Sequence, residues 1–186
     1  MTTLNTLTKV STALVGGLLT LGTPAMAGYV TDDGYTIMTA ESFTPAHAPL
    51  VQALTEAGVP IVDGNGQTEL PQCKVDPKSQ SVLMGFYTPA HNIVVLCTDN
   101  FNSKAQLSQT LTHEAVHLVQ DASVGLDNES AETFGNWKSL VPDLSADHVY
   151  AIENFYPQDQ WGLEVEARTL ETEPEIVTNL VKKFVF

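Results

Sequence analysis

Ser103-Lys-Ala-Gln-Leu-Ser-Gln-Thr-Leu-Thr-His113-Glu-Ala-Val-His117-Leu-Val-Gln-Asp-Ala122 reads as one long helix with a chemical face. Ser103 and Gln106 have capping-box spacing, with Ser at the N-cap and Gln at N3. No Gly or Pro interrupts 104–122. Leu107, Leu111, Ala115, Leu118 and Ala122 recur every three or four positions and form an apolar stripe. Gln106, Thr110, His113 and His117 form an adjoining polar stripe. Within it, His113-Glu114-Ala115-Val116-His117 spells H-E-x-x-H. Residues four apart on a helix lie one above the other, so both imidazoles can reach one ion. Glu114 is turned by about 100° from His113 and can stand beside that ion without binding it. Zinc hydrolysis needs two neutral nitrogens, an open position for water and a carboxylate to take the water's proton.

A zinc site takes a third protein ligand. His148 is one possibility, and the carboxylates of Trp161-Gly-Leu-Glu164-Val-Glu166-Ala167-Arg168 are better placed, on a second expected helix ending near Glu171. With these residues the chain resembles the gluzincin metallopeptidases, H-E-x-x-H zincins whose third ligand is a Glu on a later helix. Several small members carry that Glu as E-x-x-A, matched here by Glu164-Val-Glu-Ala167. The resemblance implies His113, His117 and Glu164 as ligands of one zinc ion and Glu114 as catalytic base, with Glu166 the alternative ligand. Many gluzincins place an Asp four residues after the ligand Glu, where it supports a ligand histidine. This chain has Arg168 there, so the supporting carboxylate must come from elsewhere. No third His follows His117 in the metzincin pattern, and no phosphate loop or dinucleotide fingerprint is present.

Residues 1–27 contain no acid. Lys9 precedes an apolar run too short to span a bilayer, and Pro24-Ala25-Met26-Ala27 ends in a small-x-small pattern. This is the form of a secretory signal cleaved after Ala27. It leaves 28–186 as one domain in a secreted or periplasmic protein with no stable membrane insertion. The 186-residue chain carries 22 acids against 8 Lys and Arg, for a net charge of −14. Such a surface repels phosphate backbones and argues against nucleic acid as a partner. Cys73 and Cys97 are the two cysteines, and in an exported protein they are expected to pair. Closing that loop contributes about 3 kcal/mol in the chain-entropy account.

Between the cysteines, Ser81–Tyr87 and Asn92–Cys97 are rich in strand formers, and Thr88-Pro89-Ala90-His91 reads as the turn of an antiparallel hairpin. His91 is expected in that turn, exposed. Thr44-Pro45 opens a helix that Gly58 stops, with His47 on its surface. Val59–Val62 is a short strand, followed by the Asp63-Gly64-Asn65-Gly66 turn. Residues 28–39 are ambiguous, a candidate extended arm. Glu129–Leu140 reads as a helix, Ser145 caps another to about Phe155, and Glu173-Pro174 opens the last, to about Phe184.

The fold class is therefore α+β and zincin-like: a small antiparallel sheet followed by a helical bundle that carries the H-E-x-x-H helix. The resemblance implies an exported zinc peptidase, an endopeptidase by family pattern, acting on polypeptide substrates. His148, Tyr150 and Tyr156 are candidates for the oxyanion donor, with Tyr87 a further one. The alternative is a zinc- or partner-binding module on the same scaffold that does not hydrolyse peptides.

Overall fold

The computed structural model describes residues 28–66, 69–74, 82–125 and 137–186. The signal segment 1–27 and most of the helix expected over 129–140 lie outside the described residues. Of that helix, Trp137–Ser139 forms one 3-10 turn.

Five strands form one sheet: β1 (Gly28–Val30), β2 (Thr36–Met38), β3 (Ile61–Asp63), β4 (Gly85–Thr88) and β5 (Ile93–Leu96). Their spatial order is β1-β2-β3-β5-β4. The ambiguous N-terminal stretch is thus a hairpin, with Tyr29 opposite Ile37. The expected hairpin of β4 and β5 is present, with Phe86 opposite Val95. The sheet is not antiparallel throughout, however. β3 and β5 run parallel, with Val62 opposite Val95, so the sheet is mixed.

The physical reason lies in β5. All four of its residues are buried, and they alternate between two apolar clusters. Val94 and Leu96 face the main core, while Ile93 and Val95 face a smaller one with Val62, Leu70 and both cysteines. A strand covered on both faces belongs inside a sheet, not at its edge. β3 takes one side of β5 and β4 the other, which makes β4 an edge strand. The Cys73–Cys97 disulfide ties the connection between β3 and β4 to the end of β5.

Helix α1 (Ala48–Glu56) follows a 3-10 turn at Pro45–His47 and ends before Gly58, whose φ of 72° suits a residue without Cβ. Helix α2 (Lys104–Val124) carries the motif. Ser103 Oγ accepts from the Gln106 N–H, and Gln106 Oε1 reaches back to the Asn102 N–H, one residue earlier than an ideal box. Gly125, at φ 79°, ends the helix. Leu111, Ala115 and Leu118 are buried in the main core; each such leucine contributes roughly 2 kcal/mol of burial. Helices α3 (Ala146–Phe155), α4 (Trp161–Leu170) and α5 (Pro174–Phe184) complete the helical part of the fold. The Ser145 hydroxyl caps α3 by accepting from the His148 N–H. Helix α2 packs on β4 and β5 on one side and on α4 and α5 on the other.

Gly85 sets the approach of the edge strand to α2. A Cβ there would lie 2.8 Å from the Val95 carbonyl oxygen and 3.1 Å from Thr110 Cγ2. Among the described residues, no helix is long and apolar enough to cross a membrane.

Candidate metal centre

Helix α2 packs on α4, and Ala115 on the first and Ala167 on the second are both fully buried in the main core. This brings Glu164, in the first turn of α4, over the two motif histidines. His113 Nε2 and His117 Nε2 stand 3.2 Å apart. Glu164 Oε2 is 3.4 Å from His113 Nε2, and Oε1 is 3.3 Å from His117 Nε2. The three side chains form a mostly buried group able to hold a metal ion.

The remaining ring nitrogens fix the tautomers. His113 Nδ1 lies 3.1 Å from Glu171 Oε2, and an ionised carboxylate only accepts, so Nδ1 carries the hydrogen. His117 Nδ1 donates to Gln120 Oε1 at 2.8 Å. The orientation of that amide is set by its other end, where Nε2 donates to the Leu163 carbonyl at 3.1 Å and to Glu166 Oε2 at 3.0 Å. Both neutral imidazoles therefore turn lone pairs toward each other and toward Glu164. Glu164 Oε2 is itself buried and accepts no hydrogen bond of ordinary geometry. Converging lone pairs in a dry site repel unless a cation stands between them. The donor set fits a bound metal ion on this ground.

The titration behaviour has the same origin. Burial alone would lower the His113 pKa, but Glu164 and Glu171 outweigh it and push it up to about 9. Burial would raise the Glu164 pKa, yet the two imidazoles beside it hold it well below the carboxylate range. Burial raises the Glu114 pKa, against the opposing pull of the two histidines and a backbone hydrogen bond from Tyr87 on β4. A buried carboxylate with a raised pKa beside a metal group is suited to accepting and returning a proton.

His113 and Glu114 open into a cleft of about 470 Å³. Val82–Gly85 forms one wall; Ala151, Phe155, Tyr156 and Arg168 contribute to the other. A much smaller apolar hollow of about 20 Å³, lined by residues including Tyr35, Phe86 and Ile93, is separate from the metal group.

The other sequence candidates fall in different places. Glu166 is 1% exposed and is bound to Gln120, outside the metal group. His148 is also outside it, with Nε2 3.6 Å from Glu171 Oε1. Tyr150 is 62% exposed and packs edge-on against Phe155. Tyr156 lines the cleft; burial, with the charge of Glu164, pushes its pKa to about 12, so it is a hydroxyl donor at any ordinary pH. Tyr87 turns its hydroxyl to Asp121 Oδ2 at 2.8 Å. His91 lies in the hairpin turn but is half-buried there rather than exposed, and His47 Nδ1 is 2.7 Å from Thr44 Oγ1, in the turn before α1. Cys73 and Cys97 are joined, as expected.

Two residues of the site went unread in the sequence. Glu171 supplies the supporting carboxylate, held by Gln109 Nε2 at 2.6 Å and Arg168 Nη1 at 3.0 Å. Its signal was the seven-residue interval from Glu164, two helical turns along one face. Arg168, where a supporting Asp was looked for, instead anchors that carboxylate. Gln120 follows His117 by three positions, within reach on the same helix face.

No curated protein and no solved structure matches the chain. Residues 65–186, which include both helices of the metal group, match the family described as Domain of unknown function (DUF8637), and the chain belongs to that family.

Proposed function

We propose that this is an exported zinc-dependent peptidase of zincin type, in which His113, His117 and Glu164 hold the ion and Glu114 is the general base. The observation that carries the reading is the spacing of the three donors. Tetrahedral zinc, with ligands at about 2.0–2.2 Å, separates neighbouring donors by roughly 3.3–3.6 Å. The donors here stand 3.2–3.4 Å apart.

A zinc ion in this position supplies a Lewis acid that polarises a carbonyl and acidifies water. Glu114, buried at the cleft floor, takes the proton of the attacking water and returns it to the leaving amine. Tyr156 donates to the oxyanion from the opposite wall. Val82–Gly85 lies along the cleft at the sheet edge, where an extended polypeptide can align by main-chain contacts. The disulfide supports an oxidising compartment, in keeping with the secretory form of residues 1–27.

The test is a digest of a peptide library by purified 28–186, with and without chelator, beside Glu114→Gln and a metal analysis of both proteins. The expected result is about one zinc per chain in each, cleavage by the parent alone, and loss of cleavage with chelator. Cleavage by Glu114→Gln at the parent rate would overturn the mechanism. Bound zinc with no cleaved peptide would leave the non-hydrolytic binding module as the reading.

A further inference from the structure

Two carboxylates sit two residues apart on α4, and only one of them enters the metal group. Glu166 is 1% exposed, which is a costly place for a carboxylate unless strong partners hold it. One of those partners is Gln120 Nε2, at 3.0 Å. Gln120 is itself fully buried, and its Oε1 accepts from His117 Nδ1 at 2.8 Å. The Leu163 carbonyl takes the same amide nitrogen at 3.1 Å and prevents the amide from flipping. The result is a continuous chain, Glu166 to Gln120 to His117, in a dry part of the molecule.

We infer that Glu166 is a positioning residue for the metal, acting on His117 through the Gln120 amide. This rests on the zinc reading above. The two histidines are then supported differently. His113 donates straight to the Glu171 carboxylate, whereas His117 donates to a neutral amide that a carboxylate polarises from behind. A carboxylate that draws on the Gln120 N–H makes Oε1 a stronger acceptor, because hydrogen bonds in series polarise one another at low dielectric. A stronger acceptor at Nδ1 makes Nε2 a better donor to the ion and fixes the ring plane. An amide alone would orient His117; the buried carboxylate adds electron density. This accounts for the burial of a second acid on α4, which packing alone would have filled with an apolar side chain.

The test is a double-mutant cycle read as zinc affinity, by competition with a chromophoric chelator, on purified 28–186. Glu166→Gln keeps the shape and removes the charge. It is expected to weaken zinc binding about tenfold, near the lower end of effects seen for outer-shell partners. Gln120→Leu removes the bridge and is expected to cost more, up to about a hundredfold. In the Gln120→Leu background, Glu166→Gln should have no further effect, since its route to His117 is gone. The cobalt-substituted Glu166→Gln protein should show a shifted visible absorption, which a packing role would not produce. Zinc affinity within twofold of the parent in Glu166→Gln would overturn the relay, as would equal losses in the two backgrounds. If Gln120→Leu fails to fold, the Glu166→Gln affinity and the cobalt spectrum decide between the same outcomes. A parent protein that binds no zinc would instead overturn the reading on which the relay stands.

Discussion

Glu171 follows His113 by 58 positions in sequence and lies 3.1 Å from its Nδ1 in space. The same carboxylate accepts from Gln109 and Arg168 and is 2% exposed. It joins the end of α4 to the first histidine of the motif. Glu171→Gln keeps the shape, removes the charge and places an amide where Arg168 and His113 both donate. Zinc affinity is expected to fall by about 10- to 100-fold. Metal-free stability should fall by about 1–3 kcal/mol, because a buried donor loses its acceptor. Chelator competition and urea denaturation measure the two effects. Unchanged zinc affinity would show that His113 needs no carboxylate behind it.

Removing the ion should be visible without any substrate. An ion bound only by the native state stabilises it by about 4 kcal/mol at a thousand times its Kd. For a domain of this length each kcal/mol moves the thermal midpoint by about 2–4 °C. Thermal scans with excess zinc and with excess chelator are therefore expected to differ by roughly 8–16 °C. His113→Ala should abolish the difference. A midpoint that ignores zinc in the parent would mean that the donor cluster holds no ion.

Gly85→Ala tests the placement of the cleft wall. The added Cβ meets the Val95 carbonyl oxygen at 2.8 Å and Thr110 Cγ2 at 3.1 Å, so β4 must move away from β5 and α2. Overpacking of this kind costs about 1–3 kcal/mol. The displaced wall is the one that faces Glu114, whose carboxylate takes a backbone hydrogen bond from Tyr87 on the same strand. The expected variant is folded and less stable, binds zinc normally and has a lower kcat/KM. Parent-like activity at reduced stability would separate the strand from catalysis.

The parts of the fold that could be read in the sequence are those decided within one turn or one hairpin. Ser103 and Ser145 mark the starts of α2 and α3 by hydrogen bonds three residues long. Pro45 and Pro174 stand in the first turns of their helices for the same local reason. The β4–β5 hairpin is bounded by Thr88-Pro89-Ala90-His91, a turn readable by composition. The parallel pairing of β3 with β5 has no such local marker. It depends on Val62 meeting Val95 across a connection that includes β4 itself, and on both faces of β5 being covered. The site divides in the same way. His113 and His117 share a helix face by spacing alone. Glu164 and Glu166 lie about 200° apart around α4, yet both reach α2, Glu164 at the motif histidines and Glu166 at Gln120, and only the docking of the two helices tells them apart. Glu171 sits just beyond the last residue of α4, two turns along the face of Glu164, but that interval names no partner; only the docking of α4 on α2 carries it to His113.

Tyr156 and Tyr150 offer a test of the proposed oxyanion role against packing. Tyr156 lines the cleft with Glu114 and Arg168, and its raised pKa keeps the hydroxyl protonated through any working range. Burial is the first cause of that shift and the Glu164 charge the second. Tyr150 is largely exposed, and its ring packs edge-on against Phe155. Removing one oxyanion donor costs about 10²–10³ in kcat. Tyr156→Phe should show that loss with KM within about twofold and zinc affinity unchanged, because the hydroxyl acts on charge that develops only as the carbonyl is attacked. Tyr150→Phe should match the parent in all three measurements. Steady-state kinetics on one peptide found by the library digest, with zinc content measured in parallel, makes the comparison. An equal fall in both variants would assign the effect to the packing of α3, and a full rate in Tyr156→Phe would move the donor to another residue of the cleft.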